Sequence, residues 1–296
     1  MLKSFCLAFI STTIFWSSNA FAQSNSLKNQ IIEIAKEAKG TIGVSVLNIE
    51  TKKNISYNGN LHLPMQSVMK FPIALTVLHE IDLGKFKIDQ LIHISKSDLP
   101  KTYSPLRDKY PEGNVDVSLR ELLSYMVSQS DNDACDILLN LIGGPKQVEN
   151  YMHLLGIKNI AVKASEFQMA QAWDVQFTNW CEPVAMTQLL NIAFRPDFLS
   201  KNSHAYLWQM LQETITGPKQ IKGLLPAETI VAHKTGRFDA EELGRKSTTN
   251  DAGVITLQNN QHLVITVFIS NSAADLTTRE SVIARIAKAA FDDALN

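Results

Sequence analysis

Ser67-Val68-Met69-Lys70-Phe71-Pro72-Ile73-Ala74-Leu75-Thr76-Val77-Leu78 carries apolar residues on nearly every side of the helix it predicts over Ser67–Ile81. A helix without a polar face belongs inside a protein. Lys70 is its only fixed charge before Glu80, and it stands one helical turn from Ser67. A buried ammonium is costly unless it is paired or gives up its proton. Two readings follow. Ser67 is an N-cap and Lys70 snorkels to the surface. Alternatively, Ser67 is a nucleophile at a helix N-terminus, where N–H groups and a positive dipole end suit a developing oxyanion, and Lys70 takes its proton.

The flanking sequence gives this helix a setting. Leu27–Ala38 has helical character, and Thr41–Glu50 with Asn54–Asn58 reads as a strand pair around a turn. After the buried helix come Leu119–Gln129, behind a Ser118/Glu121 capping box, and Asp133–Ile142, which stops at Gly143-Gly144-Pro145. Glu182–Phe194 and Ser203–Glu213 continue the helical pattern. Strands return at Thr229–Thr235, Gly253–Leu257 and His262–Ser270, and a helix over Thr277–Ala294 closes the chain. Strands at both ends with helices between them imply one sheet shared by the termini. The expected class is α/β (α+β): an antiparallel sheet flanked by helices, built from 23–65 and 212–296, with an all-helical domain inserted over 66–211.

Two tripeptides share the polar character of Ser67 and Lys70. Ser130-Asp131-Asn132 falls between two predicted helices, and Lys234-Thr235-Gly236 ends a predicted strand. Alone, the first reads as an ordinary N-cap and the second as a strand stopping at a glycine turn. Gly236 has a second reading, in which a missing side chain lets a ligand lie against the strand backbone. A Ser-x-x-Lys arises about once by chance in a chain of ordinary composition, each tripeptide in about one such chain in twenty or fewer. The signal therefore lies in the three together and in order.

Lys3, the apolar run Phe5–Trp16 and Ala20-Phe21-Ala22 form a basic start, a core too short to span a bilayer and a small-residue cleavage site. Residues 1–22 are expected to be a secretory signal cut after Ala22, which places the mature protein in the periplasm. No later segment is apolar enough to cross a membrane. With 28 Lys+Arg against 29 Asp+Glu, nothing points to nucleic acid or an anionic membrane surface. Cys135 and Cys181 are read as two buried free thiols, and no Cys/His spacing suggests a metal.

With Ser67-x-x-Lys70, Ser130-Asp131-Asn132 and Lys234-Thr235-Gly236 in this order, the chain resembles class A serine β-lactamases over essentially its whole mature length. Pro183-x-Ala185-Met186 and Thr216-Gly217 add to the match. Pro64-Met65-Gln66-Ser67-Val68, Val231-Ala232-His233-Lys234-Thr235-Gly236 and Thr249-Asn250-Asp251 are most similar to the PER/VEB/CfxA-like subgroup. The resemblance implies a helical domain beside a sheet domain, with the site between them, and β-lactam hydrolysis through an acyl-enzyme. It needs no metal or other cofactor and implies a monomer. Ser67, Lys70, Ser130 and Glu166 would be catalytic, with Ser130 passing a proton to the lactam nitrogen and Glu166 activating water. Asn132 would hold the acylamide side chain, and Lys234, Thr235, Gly236, Arg237 and Tyr103 would bind the rest of the substrate. Whether Lys70 or Glu166 activates Ser67 stays open. A D,D-peptidase and a non-hydrolytic β-lactam or muropeptide sensor are the rivals. Glu166 disfavours the first, and the lack of a membrane segment or signalling domain disfavours the second.

The chain departs from the wider class at several places, and at Ala164, Asn179 and Ala170 the subgroup departs too. Ala164 and Asn179 occupy the positions of an Arg–Asp pair, and Ala170 that of an asparagine that holds water. Lys219-Gln220-Ile221 lacks a carboxylate-binding arginine, and Met69 and Phe238 stand where some relatives place a disulfide. Arg237-Phe238 replace a small residue after the glycine, and a long loop is expected over Arg237–Asp251. Subgroup resemblance and that loop imply a preference for cephalosporins, including bulky ones. Arg237 has two readings: it binds the substrate carboxylate, or it pairs with Asp239, Glu241 or Glu242.

Overall fold

The computed structural model describes residues 26–239 and 246–295. The proposed signal segment and its cleavage site lie outside them. Helix α1 covers residues 26–35 and tightens into a 3-10 turn over Lys36–Ala38. Strands β1 (Thr41–Asn48), β2 (Asn54–Tyr57) and β3 (Leu63–Pro64) lead to a 3-10 turn, Gln66–Met69, and then to α2 (Lys70–Asp82). The middle of the chain holds β4 (Leu91–Ile94), α3 (Pro105–Lys109), β5 (Val115–Ser118), α4 (Leu119–Ser128), α5 (Asn132–Leu141) and α6 (Pro145–Leu154). It continues with β6 (Ile160–Ala161), α7 (Glu166–Gln171), β7 (Trp180–Cys181), α8 (Pro183–Ala193) and α9 (Lys201–Gln212). The chain returns as β8 (Val231–Phe238), β9 (Ser247–Thr256), β10 (His262–Ser272) and α10 (Leu276–Leu295).

Five strands form one antiparallel sheet in the order β2-β1-β10-β9-β8, so both ends of the chain share it as the sequence implies. Period-two alternation on β10 sorts its residues onto two cores. Leu263, Ile265, Val267 and Ile269 join Ile31, Val44, Val282 and Ile286 under α1 and α10. Val264 and Phe268 face the other way and join Leu189, Met186 and the α2 residues. Every residue of α2 from Lys70 to Leu78 is buried, as its all-round apolar pattern requires. Two short sheets, β4-β5 and β3-β7-β6, sit among the helices. Cys135 and Cys181 are buried free thiols, and no helix among the described residues is long and apolar enough to cross a membrane.

Local signals explain the helix starts. Ser118 accepts from the Glu121 N–H in a reciprocal capping box that opens α4, and Asp131 accepts from the Ala134 N–H to open α5. The expected loop over Arg237–Asp251 is corrected. Strand β8 runs on through Phe238, and β9 already begins at Ser247, with Phe238 opposite Thr248 and Thr235 opposite Asp251. Thr248, Thr249, Asn250 and Asp251 are buried despite being polar, because partners await them. Asn250 Nδ2 donates to the carbonyls of Pro64 and Met65, and its Oδ1 accepts from Ile269 N–H. The strand therefore hides behind a composition that suggests a loop.

Candidate active site

Ser67 sits in the 3-10 turn just ahead of α2, rather than within the helix as its spacing predicts, and Lys70 opens the helix. Residues at the start of such a segment have backbone N–H groups with no intrahelical acceptor. Gln66 enters the turn at φ +51°, a left-handed conformation that a non-glycine residue adopts only when its surroundings hold it there. Its side-chain amide donates to Gln176 Oε1 at 2.6 Å, and Gln176 donates to the Trp173 carbonyl. The backbone leading into Ser67 is thereby tied to the segment following α7.

Lys70 is fully buried, and the shared oxygens around its ammonium define the site. Nζ donates to Ser67 Oγ at 3.0 Å, to Asn132 Oδ1 at 2.6 Å and to the Ser130 carbonyl at 2.7 Å, and lies 2.9 Å from Glu166 Oε1. Ser67 Oγ donates to the same Glu166 oxygen at 3.2 Å. Ser67 thus touches a base candidate on each side. Ser130, at φ +60°, accepts through its Oγ from a second buried lysine, Lys234 Nζ, at 2.9 Å. Burial first, and then the nearby Lys70 charge, pulls Lys234 down to about 7, against the opposing pull of Glu166 and Asp251.

β8 forms the opposite wall. Thr235 Oγ1 is 2.6 Å from Thr216 Oγ1. A Cβ on Gly236 would lie 2.5 Å from the Met65 carbonyl oxygen and 3.0 Å from Ser67 N, so only glycine lets the strand come this close to the serine. Ser67, Ser130, Asn132, Thr235 and Gly236 line a cleft of ≈ 460 Å³, with exposed Tyr103 and Arg237 at its rim. Asn132 Nδ2 donates to Thr102 Oγ1, and its backbone N–H donates to the Tyr103 carbonyl, which joins that rim to α5.

Glu166 begins α7, whose N-terminus is held by a Ser165/Gln168 capping box. The N–H groups of Glu166 and Phe167 each donate to an oxygen of Asp136 at 2.8 Å. Burial raises the Asp136 carboxyl above the usual carboxylate range, and these two donors pull it back toward the charged form. Where an Arg–Asp pair is absent, buried Asn179 substitutes. Its Oδ1 accepts from the N–H groups of Lys163 and Ala164, and its Nδ2 donates to the Ala164 carbonyl.

Among the described residues, Ser67, Lys70, Ser130, Asn132, Glu166 and Lys234 come together in one constellation, and Thr235, Gly236 and Tyr103 lie in the wall and rim of the cleft. Arg237 lines the cleft and also pairs with Asp239, at 3.0 Å, so both of its readings have support. The sequence motifs do not single out Asp136, Thr102 or Gln176 as site residues. Asp136 leaves a usable sign, lying one turn after Asn132 on the same face of α5, while Thr216 and Gln66 stand within matching strings without an assigned role.

The model of the β-lactamase enzyme family matches residues 26–294. The β-lactamase VEB-1 of Pseudomonas aeruginosa is 42% identical over 287 residues, covering 96% of this chain and 94% of that one. The extended-spectrum β-lactamase PER-1 of the same organism is 39% identical, covering 94% and 90%. The crystal structure of a β-lactamase from Chitinophaga pinensis superposes with a TM-score of 0.89 at 48% identity, covering 92% of this chain and 100% of that one.

Proposed function

The chain belongs to the β-lactamase enzyme family, as a class A enzyme of the PER/VEB type, and on that basis we propose that it hydrolyses β-lactams through an acyl-enzyme on Ser67. The observation that carries this is one serine oxygen lying between Lys70 Nζ and Glu166 Oε1. Ser67 Oγ attacks the lactam carbonyl and loses its proton to the pair Lys70/Glu166. The oxyanion is met by the backbone N–H groups of Ser67 and Arg237, which flank the Gly236 approach. Ser130 gives its proton to the departing lactam nitrogen and is resupplied with the proton lost by Ser67 through Lys70, whose Nζ lies 3.5 Å from Ser130 Oγ, while Lys234 holds the hydroxyl in place. In the second half, Glu166 takes a proton from water as that water attacks the ester and passes it to Ser67 Oγ as the ester bond breaks, releasing the ring-opened acid and regenerating the serine. The Ala170 side chain has no polar atom to hold the water, so Glu166 and its Asp136-held backbone carry that task.

Lys234, Thr235, Thr216 and Arg237 bind the substrate carboxylate, Asn132 and Tyr103 the acylamide end, and bulky cephalosporins are the preferred class. PER-1 is named as an extended-spectrum enzyme, which supports that preference. The protein acts as a monomer in the periplasm after cleavage behind Ala22. Turnover of a chromogenic cephalosporin by the mature protein, and its loss in Ser67→Ala, tests the reading. An adduct without turnover would instead make the protein a sensor, and release of D-alanine from a D-alanyl-D-alanine peptide would make it a peptidase.

A further inference from the structure

At the rim of the cleft three charged residues form a chain. Arg279, on α10, is fully buried, and its guanidinium is fixed by Nε donating to Thr249 Oγ1 at 2.8 Å and by Nη1 donating to the Ala274 carbonyl. Nη2 donates to Asp239 Oδ1 at 2.7 Å. The other oxygen of Asp239 lies 3.0 Å from Arg237 Nε. Thr249 is also the β9 residue directly opposite Arg237 in the sheet, so the anchor is grounded on the neighbouring strand.

We propose that Asp239 is a positioning residue, which holds the Arg237 guanidinium at the carboxylate end of the cleft from a fixed point on Arg279. An ion pair between two exposed, mobile side chains is worth little, because holding both in place costs entropy. Here one oxygen of Asp239 is pinned by an immobile guanidinium, so only Arg237 remains to be ordered. Asp239 engages Nε, and the two Nη groups of Arg237 make no hydrogen bond among the described residues. Toward the described residues, the planar fork is therefore open to a carboxylate. Glu280, on the same wall, also lines the cleft and makes no ion pair with Arg237. Without Asp239 it is an acid of the same lining that can capture the arginine and compete with substrate. The inference rests on Arg237 being a carboxylate ligand, and extends it to the residue that orients it.

The test is steady-state kinetics of the mature enzyme on a cephalosporin free acid and on its methyl ester, comparing the parent with Arg237→Ala, Asp239→Ala, Asp239→Asn and Arg237→Ala/Asp239→Ala. Asp239→Ala should raise KM for the acid by about 5–10-fold with little change in kcat, and lower the acid-to-ester ratio of kcat/KM by a similar factor. Asp239→Asn, which keeps an acceptor for Arg279, should cost about 2–3-fold. The double variant should be no worse than Arg237→Ala. An unchanged KM for the acid in Asp239→Ala, an equal fall for acid and ester, or independent losses in the double variant would overturn the proposal. If Arg237→Ala itself leaves the acid KM unchanged while hydrolysis persists, the carboxylate reading of Arg237 falls and takes this one with it. If the parent hydrolyses neither compound, the β-lactamase reading fails first.

Discussion

Replacing Asn179 should separate the two halves of the reaction, because that residue holds the loop carrying Glu166 and touches neither Ser67 nor the cleft. Its side chain is fully buried and satisfies three backbone groups: the N–H of Lys163 at 2.7 Å, the N–H of Ala164 at 3.0 Å and the carbonyl of Ala164 at 2.8 Å. Asn179→Ala strips all three and leaves a small void against Met69 and Met169. A buried donor or acceptor that loses its partner costs about 1–3 kcal/mol, and the Lys163 group, beside an exposed side chain, recovers part of this from water. The local cost is then about 3–5 kcal/mol, a large share of the ~5–15 kcal/mol that stabilises a typical domain. Asn179→Asp keeps an acceptor for both N–H groups but sets a carboxylate against the Ala164 carbonyl, so it should cost less, about 1–3 kcal/mol. Urea unfolding gives the stability change. Hydrogen exchange over residues 163–171 locates it, and quenched-flow mass spectrometry follows the adduct. The expected order is parent, Asp, Ala in both falling stability and slowing deacylation, with acylation affected less. If Asn179→Ala loses under about 1 kcal/mol and deacylates at the parent rate, the amide is not what holds Glu166 in place.

Two further outcomes follow from the opposite wall. Burial holds Lys234 at about 7, well below an ordinary lysine, so kcat/KM for carboxylate-bearing substrates should fall as pH rises through that value. A methyl ester should lack this limb, and Lys234→Arg should move it out of range because guanidinium keeps its proton. A flat profile for the acid up to pH 9 would contradict the assignment. Because the unfolded lysine binds its proton more tightly, the same group should add stability as pH climbs from about 7 towards 10. Gly236→Ala forces a methyl to within 2.5 Å of the Met65 carbonyl oxygen, so β8 must retreat from Ser67. Acylation should slow by about 10–100-fold with the fold intact, and an unchanged acylation rate would refute the close-approach role.

What could be read from the sequence is what chemistry places within one turn of chain. Ser67 and Lys70 meet because three helical residues bring them together, and the caps at Ser118 and Asp131 announce α4 and α5. Strand-like segments at both ends of the chain, with helices between, imply the shared sheet that β1 and β10 form. What stayed hidden is long-range and polar. Asp136 meets the Glu166 N–H across 30 positions, and Asn179 meets Ala164 across 15. Thr248 to Asp251 look like loop residues because their partners, the Pro64 and Met65 carbonyls and the Ile221 N–H, belong to other segments. The Asp239–Arg279 contact spans 40 positions, and no local pattern could have favoured Asp239 over the neighbouring acids Glu241 and Glu242.

The central claim is that Ser67 and Glu166 divide the reaction, one forming the ester and the other clearing it. Glu166→Gln keeps the length and a hydrogen-bonding oxygen near Lys70 and Ser67 but removes the base for water. Intact-protein and peptide mass spectrometry of this variant, quenched minutes after mixing with a cephalosporin, should show a stoichiometric adduct on the peptide containing Ser67, while the parent shows none or only a trace. Parent-like turnover without an accumulating adduct, or an adduct on any other residue, would contradict the account.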